Sequence, residues 1–206
     1  MARITALYGS PRREGNTSVL LRKAVEGARQ EGALVEEFFL RDLKISPCLE
    51  LYGCKESGRC VIDDDFHRVA DAIRESQGVI LASPIFFYTV SAHTKIFMDR
   101  CQSLWVKRYW IDGTPFGSKD FVRRGLFIAA GATKGKRLFD GVLLTARYFF
   151  DALGADLWDS VLVRGVDAEG DVLQDPEHLK TAYEKGKEFA RMLQEAGAKK
   201  GNERRM

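Results

Sequence analysis

The sequence predicts an α/β protein: a five-stranded parallel sheet of strand order 2-1-3-4-5, with helices on both faces. Three observations carry this reading. Short apolar runs of strand length alternate with longer segments whose apolar residues recur at helical spacing. The run Gly78-Val79-Ile80-Leu81-Ala82 is continuously apolar, as a central parallel strand is. Three loops that leave strand ends, 9–18, 83–88 and 131–135, look unlike mere connections. In this strand order the first two flank the switch point where such sheets take ligands, and the third lies beside the second.

Taken in order, residues 4–7 form the first strand. Val19, Leu20, Leu21, Ala24, Val25 and Ala28 mark one face of the first helix. Residues 33–40 are the second strand, and 45–61 an irregular stretch bearing three cysteines. Asp63, Asp64 and Asp65 open a helix at the end where the macrodipole favours acids, with Phe66, Val69, Ala70 and Ile73 as its stripe. Strand three at 78–82 runs into Ser83-Pro84-Ile85-Phe86-Phe87-Tyr88, and Ser91 caps a helix running through Asp99. Residues 105–122, with Trp105, Tyr109, Trp110 and Phe116 among glycines and charges, read as a long loop or partner-facing arm. Strand four is 125–130, followed by an apolar helix through Leu138, Val142, Ala146, Phe149 and Phe150. Strand five is 155–163. Asp175-Pro176 starts the last helix, with Pro at its first position. The expected organisation is one domain over residues 1–198 and a frayed, charged tail over 199–206.

Composition excludes several classes. At 206 residues with 45% apolar and 30% charged side chains, the chain is large enough for a full core. A net charge of +3 from 32 basic and 29 acidic residues argues for neither nucleic acid nor a membrane surface as partner. Met1-Ala2-Arg3 leads straight into a strand without a signal peptide, and no apolar run reaches membrane-spanning length. The expected setting is the cytoplasm, where Cys48, Cys54, Cys60 and Cys101 are thiols or metal ligands rather than disulfides.

The stretch Gly9-Ser10-Pro11-Arg12-Arg13-Glu14-Gly15-Asn16-Thr17-Ser18 turns a strand into a helix. Such a turn aims free backbone N–H groups and the positive end of a helix dipole at one spot, which suits a phosphate. Ser10, Thr17 and Ser18 bring hydroxyls, Asn16 an amide, and Arg12 or Arg13 a charge. Helix capping needs one such residue, and here there are more than it requires. The dinucleotide pattern G-x-G-x-x-G is absent. The triphosphate loop G-x-x-x-x-G-K-[ST] is also absent, the nearest stretch, Gly131 to Lys136, being one residue short. A single terminal phosphate held by hydroxyls remains.

These loops resemble those of the NADPH-dependent FMN reductase family and its relatives, the iron–sulfur flavoproteins. The phosphate loop G-S-P-R-x-x-G-N-T-S carries the likeness. So do Ile80-Leu81-Ala82-Ser83-Pro84-Ile85-Phe86-Phe87 and Ser91-Ala92-His93-Thr94-Lys95-Ile96-Phe97-Met98-Asp99-Arg100, over roughly residues 1–165. The resemblance implies a flavodoxin-like three-layer sandwich that binds FMN. The phosphate would lie on Ser10, Arg12, Asn16, Thr17 and Ser18. The flat ring would lie along Pro84, Ile85, Phe86 and Phe87, with Gly131, Ala132 and Thr133 closing from the next strand. It implies an oxidoreductase that takes hydride from NAD(P)H and passes it to a small-molecule acceptor. The flavin carries the chemistry, so no catalytic side chain is expected. A homodimer or homotetramer is expected, its aromatic arm at 105–116 reaching a neighbour's flavin.

Iron–sulfur flavoproteins resembling this chain place four cysteines in one run before the acidic helix start. Here Cys48, Cys54 and Cys60 match the first, third and fourth positions, and Leu51 stands at the second. A cubane cluster needs one thiolate per iron. The expectation is therefore no metal, free cysteines and FMN as the sole redox centre. An electron-transfer protein of the iron–sulfur type is the alternative. Two rivals of other classes fail on residues. A receiver domain needs acids at strand ends occupied here by Tyr8-Gly9-Ser10 and Ala82-Ser83-Pro84. A small phosphatase needs Cys-x5-Arg, and no cysteine here has Arg six positions on.

Overall fold

The computed structural model describes the backbone of residues 1–203 and the side chains of residues 1–197. Five strands, β1 (Arg3–Tyr8), β2 (Leu34–Phe39), β3 (Gly78–Pro84), β4 (Arg123–Gly131) and β5 (Ala155–Arg164), form one sheet of order β2-β1-β3-β4-β5. Every pairing is parallel. This is the doubly wound, flavodoxin-like arrangement that the alternating pattern predicts.

Strand side chains alternate between two cores, as period two requires. Ile4, Ala6, Tyr8, Ile80, Ala82, Leu126 and Ile128 point to one face, under α1 (Asn16–Gln30) and α7 (Pro176–Glu203). Leu7, Val79, Leu81, Phe127 and Ala129 point to the other. That face is covered by α3 (Phe66–Glu75), α4 (Ala92–Arg100) and α6 (Asp140–Ala152). Two further short helices are α2 (Cys54–Ser57) and α5 (Gln102–Val106), the latter adding Leu104 to the second core. Leu20 and Leu21 of α1 are wholly buried, each worth about 1.5–3 kcal/mol. That exceeds the ~1 kcal/mol of a cap, so α1 is held by packing and its N-terminus is left open. Helices α1 and α7 approach so closely that a Cβ on Gly186 would lie 1.9 Å from the Ala24 carbonyl oxygen, and one on Gly27 2.1 Å from that of Tyr183.

The stretch 105–122 departs from expectation. Its first part is helical, through α5 and a π-helical turn at Lys107–Ile111. It lies against its own chain: Tyr109 is buried and its hydroxyl donates to the Asp151 carboxylate at 2.7 and 2.8 Å. Trp105 packs beside Tyr109, Trp110 and Phe116. An outward-reaching loop is therefore corrected to a folded-back helical segment, continued by loop from Asp112. Of the tail expected to fray at 199–206, α7 includes the residues up to Glu203, and the last three lie outside the described residues. Among the described residues no helix is long and apolar enough to cross a membrane.

Candidate functional site

The site is built at the carboxyl ends of β1, β3 and β4. Where β1 ends, the Gly9 N–H donates to the Ala82 carbonyl at 2.7 Å. A Cβ on Gly9 would lie 2.0 Å from Thr94 Oγ1, so only glycine lets the chain leave between β3 and α4. Ser91 caps α4, accepting from the Thr94 N–H at 3.3 Å, and its hydroxyl also donates to the Gly9 carbonyl. The beginning of α4 is thus tied to the exit of β1. Tyr8, just before, stacks on Phe39 at 4.1 Å and donates its hydroxyl to Glu37. Burial, together with the hydrogen bond and charge of Glu37, pushes this phenol far above its usual range, so it remains a neutral strut.

The loop beyond Gly9 folds over the start of α1. Ser10 Oγ accepts from the Arg12 N–H at 3.0 Å, and Ser18 Oγ donates to the Arg12 carbonyl at 3.1 Å. No side chain caps α1. The first-turn N–H groups of Asn16, Thr17 and Ser18 therefore face an open N-terminus with no acceptor inside the helix. Thr17 Oγ1 is buried there without any hydrogen-bond partner. A buried hydroxyl without a partner at an uncapped helix start is a donor set suited to an anion.

A cavity of about 200 Å³ opens in front of this cradle. It brings together nine of the twelve sequence-predicted residues: Ser10, Arg12, Asn16, Thr17, Pro84, Ile85, Phe86, Gly131 and Ala132. Three do not line it. Ser18 is buried and turned back onto the loop, Thr133 is exposed on the β4 exit, and Phe87 is fully exposed. Sequence reasoning missed Val166 and Asp167, which wall the cavity from beyond β5. Arg12 donates to the Asp167 carbonyl at 3.1 Å. Asn16 donates to the Ala168 carbonyl at 2.9 Å and accepts from the Val172 N–H at 3.1 Å. Both ends of the Asn16 amide are thus taken, and toward an anion it offers its backbone N–H. No local motif marks the 166–172 loop; its only signal is that a fifth strand end must lie beside the fourth.

The aromatic wall is a tight hairpin. Phe86 and Thr89 exchange both backbone hydrogen bonds at 3.0 Å, and the two residues between them, Phe87 and Tyr88, have φ of +50° and +62°. Such turns normally carry Asn-Gly, because a side chain at positive φ is strained. The Ile85 N–H donates to the Ala130 carbonyl at 3.0 Å, which ties the wall to the β4 exit. A phosphate ester fits the cradle, and a flat apolar group fits the adjoining Pro84–Phe86 face. FMN has both.

Leu51, whose side chain cannot coordinate a metal, lines the same cavity as Cys48, Cys54 and Cys60. Among the described residues no three His, Cys, Asp or Glu side chains are grouped to hold a metal ion.

Comparisons agree with this geometry. An iron–sulfur flavoprotein of Archaeoglobus fulgidus is 29% identical over 93% of this chain and 97% of its own length. One from Methanocaldococcus jannaschii is 40% identical over 102 residues, 50% of this chain; the match spans about half (53%) of that relative's length. An archaeal flavodoxin structure superposes with a TM-score of 0.56 at 12% identity, covering 93% of this chain and 99% of that one, which speaks to the fold. The model of the NADPH-dependent FMN reductase family matches residues 2–139, two thirds of the sequence and all of the phosphate loop and hairpin. The chain therefore belongs to the NADPH-dependent FMN reductase family, FMN-dependent oxidoreductases of the flavodoxin-like fold.

Proposed function

We propose that the chain binds FMN in the β1–β3–β4 cavity and passes hydride from NAD(P)H to a small-molecule acceptor such as a quinone, a free flavin or a nitro- or azo-aromatic. The observation that carries this is Thr17 Oγ1, buried and unpartnered at the uncapped start of α1. Bound there, FMN supplies the two-electron hydride chemistry. The protein's part is to hold and orient. Ser10, Thr17 and the first-turn N–H groups of α1 hold the phosphate, Arg12 adds charge, and Pro84, Ile85 and Phe86 give the ring an apolar bed. Gly131 and Ala132 line the cavity from the β4 exit and would close over the ring from that side. Ser18 supports the loop from beneath. Thr133 and Phe87 stand outside the cavity.

The cytoplasm is the proposed setting, and a homodimer or homotetramer the proposed assembly. Phe87, Trp110 and Phe116 are half or more exposed and would be covered by a second copy. Sedimentation at micromolar concentration tests the assembly; a monomer overturns it. For the activity, protein reconstituted with FMN is mixed with NADH or NADPH and a quinone, and nucleotide oxidation is followed by the loss of the reduced nicotinamide's absorbance. Multiple turnovers are expected. Tight FMN binding with no turnover by either nucleotide, with any of the acceptor classes, would overturn the reductase reading while keeping the binding site.

A further inference from the structure

A second cavity, of about 640 Å³, shares no residue with the first. It lies between residues 48–62 and the α4–α5 corner, and Cys48, Cys54 and Cys60 line it together with Leu51 and Met98. Arg100 fastens both ends of the loop that walls it. Arg100 is fully buried in the side chain and directs each of its five N–H groups to one acceptor. Two go to the Asp64 carboxylate at 2.7 and 3.1 Å. Two go to the Ser46 and Ile62 carbonyls at 2.8 and 3.0 Å. The fifth, Nε–H, goes to Cys60 Sγ at 3.2 Å. The two ends of the cysteine loop are thereby clamped, and one sulfur of the three is fixed against a guanidinium.

The loop is also closed on itself just outside Cys54 and Cys60. A Cβ on Gly53 would lie 2.4 Å from Val61 Cγ1, so the chain positions flanking the two cysteines are in contact. Burial first, then the neighbouring Cys60 sulfur, push the Cys54 thiol upward. Cys101 is different: it is wholly buried in the core, and burial pushes its thiol well up. Leu51, which cannot coordinate a metal, stands among the three thiols in this cavity.

We propose that Cys60 and Cys54 are a thiol redox pair, with Cys60 the nucleophile toward a hydroperoxide and Cys54 its resolving thiol. The Cys60 sulfur, held in the cavity wall by the Arg100 Nε–H, attacks one peroxide oxygen as its thiol proton leaves. The S–O bond forms, the O–O bond breaks, and the leaving oxygen departs as water with the available proton. Cys54 then attacks the sulfenic sulfur; the S–S bond forms, the S–O bond breaks, and the departing hydroxyl takes the Cys54 proton and leaves as a second water. Two electrons leave the pair of thiols, and one hydroperoxide is reduced. An external dithiol reverses the change.

The test uses the full chain. Protein is exposed to a small excess of hydrogen peroxide, quenched with iodoacetamide and mapped by peptide mass. The expected result is a dithiol-reversible loss of two hydrogens on a peptide joining Cys54 to Cys60. Cys54→Ser should leave Cys60 as a sulfenic acid captured by dimedone, while Cys60→Ser should leave Cys54 reduced. Cys60 should outpace Cys48, the more exposed thiol, by about tenfold in labelling rate, since microenvironment rather than exposure sets reactivity. This comparison is internal to the folded wild-type chain and needs no substitution at Arg100. The proposal is overturned if Cys48 reacts first, if no mass is lost, or if the linkage joins other cysteines. It is equally overturned if anaerobically prepared protein carries stoichiometric iron and sulfide, which would make the three thiols ligands.

Discussion

Asn16, the first residue of α1, accepts a hydrogen bond from the backbone N–H of Val172 at 3.1 Å, across 156 positions of chain. Its amide also donates to the Ala168 carbonyl at 2.9 Å. The phosphate loop and the loop after β5 are therefore one unit, joined at the residue where the anion cradle begins. Val172 is fully buried, so its N–H has no alternative partner in water. Asn16→Ala should destabilise the protein by about 1–3 kcal/mol, the cost of an orphaned buried donor. Asn16→Asp, which keeps the acceptor and loses only the donor to Ala168, should cost less. Urea midpoints of the three proteins check the order.

The Asp64–Arg100 pair sets an acid limit. Burial acts to raise the Asp64 carboxyl. The Arg100 hydrogen bond and the N–H groups of Ser46 and Phe66 outweigh it, so the group lies below its usual range. A depressed carboxyl contributes stability that is complete above the unfolded-chain value, near pH 4. That contribution is lost as pH falls through the lower folded value. The cysteine loop should therefore loosen below about pH 4, seen as faster hydrogen exchange in peptides spanning 45–64. Asp64→Ala leaves a buried guanidinium without its anion and should cost about 3–5 kcal/mol at neutral pH. Thermal unfolding at pH 7 measures this, and an unchanged midpoint would show that the pair is not buried in solution.

Much of this was readable from residue order, because the decisive signals are periodic. Apolar runs gave five strands, and their alternation sorted Ile80 and Ala82 from Val79 and Leu81 onto opposite faces. Ser91 was legible as a cap because capping is local. What failed was not local. Residues 105–111 mix aromatics and charges without a clean stripe, since Tyr109 packs inward while Trp110 stays half exposed, so their helicity was hidden. Val166 and Asp167 reach the cavity only because Arg12 and Asn16 fasten their loop there. Ser18 was assigned to the ligand side by its type, yet the first turn of α1 rotates it back beneath Arg12.

Thr17 separates binding from folding. Its hydroxyl is buried and makes no hydrogen bond in the free protein, so removing it costs the fold nothing it was using. Thr17→Val, of the same shape, should leave stability within about 1 kcal/mol of wild type or raise it. FMN affinity should fall about tenfold, equivalent to ~1.4 kcal/mol. Fluorescence titration of the apoprotein with FMN, beside a urea curve, checks both halves. Equal affinity would place the phosphate elsewhere.

The last prediction concerns the hairpin tip. Phe87 is 100% exposed and Tyr88 57% exposed, and both sit at positive φ. A left-handed conformation costs a residue with a side chain roughly 1–2 kcal/mol. Exposed rings at these positions gain little packing in return, so the fold alone gives no reason to keep them. Such strain beside a cavity is best explained by ligand contact, the outlier leading to the function rather than the reverse. Replacing the pair by the residues this turn prefers, Phe87→Asn with Tyr88→Gly, should stabilise the protein by about 1 kcal/mol. The same change should raise KM for aromatic acceptors, which can stack on the tip. Ferricyanide, which has no ring to stack, should be reduced at the wild-type rate. Urea unfolding and steady-state kinetics with the two acceptor types provide the check. A double variant that is more stable and equally fast with both would reduce the aromatic tip to a surface feature.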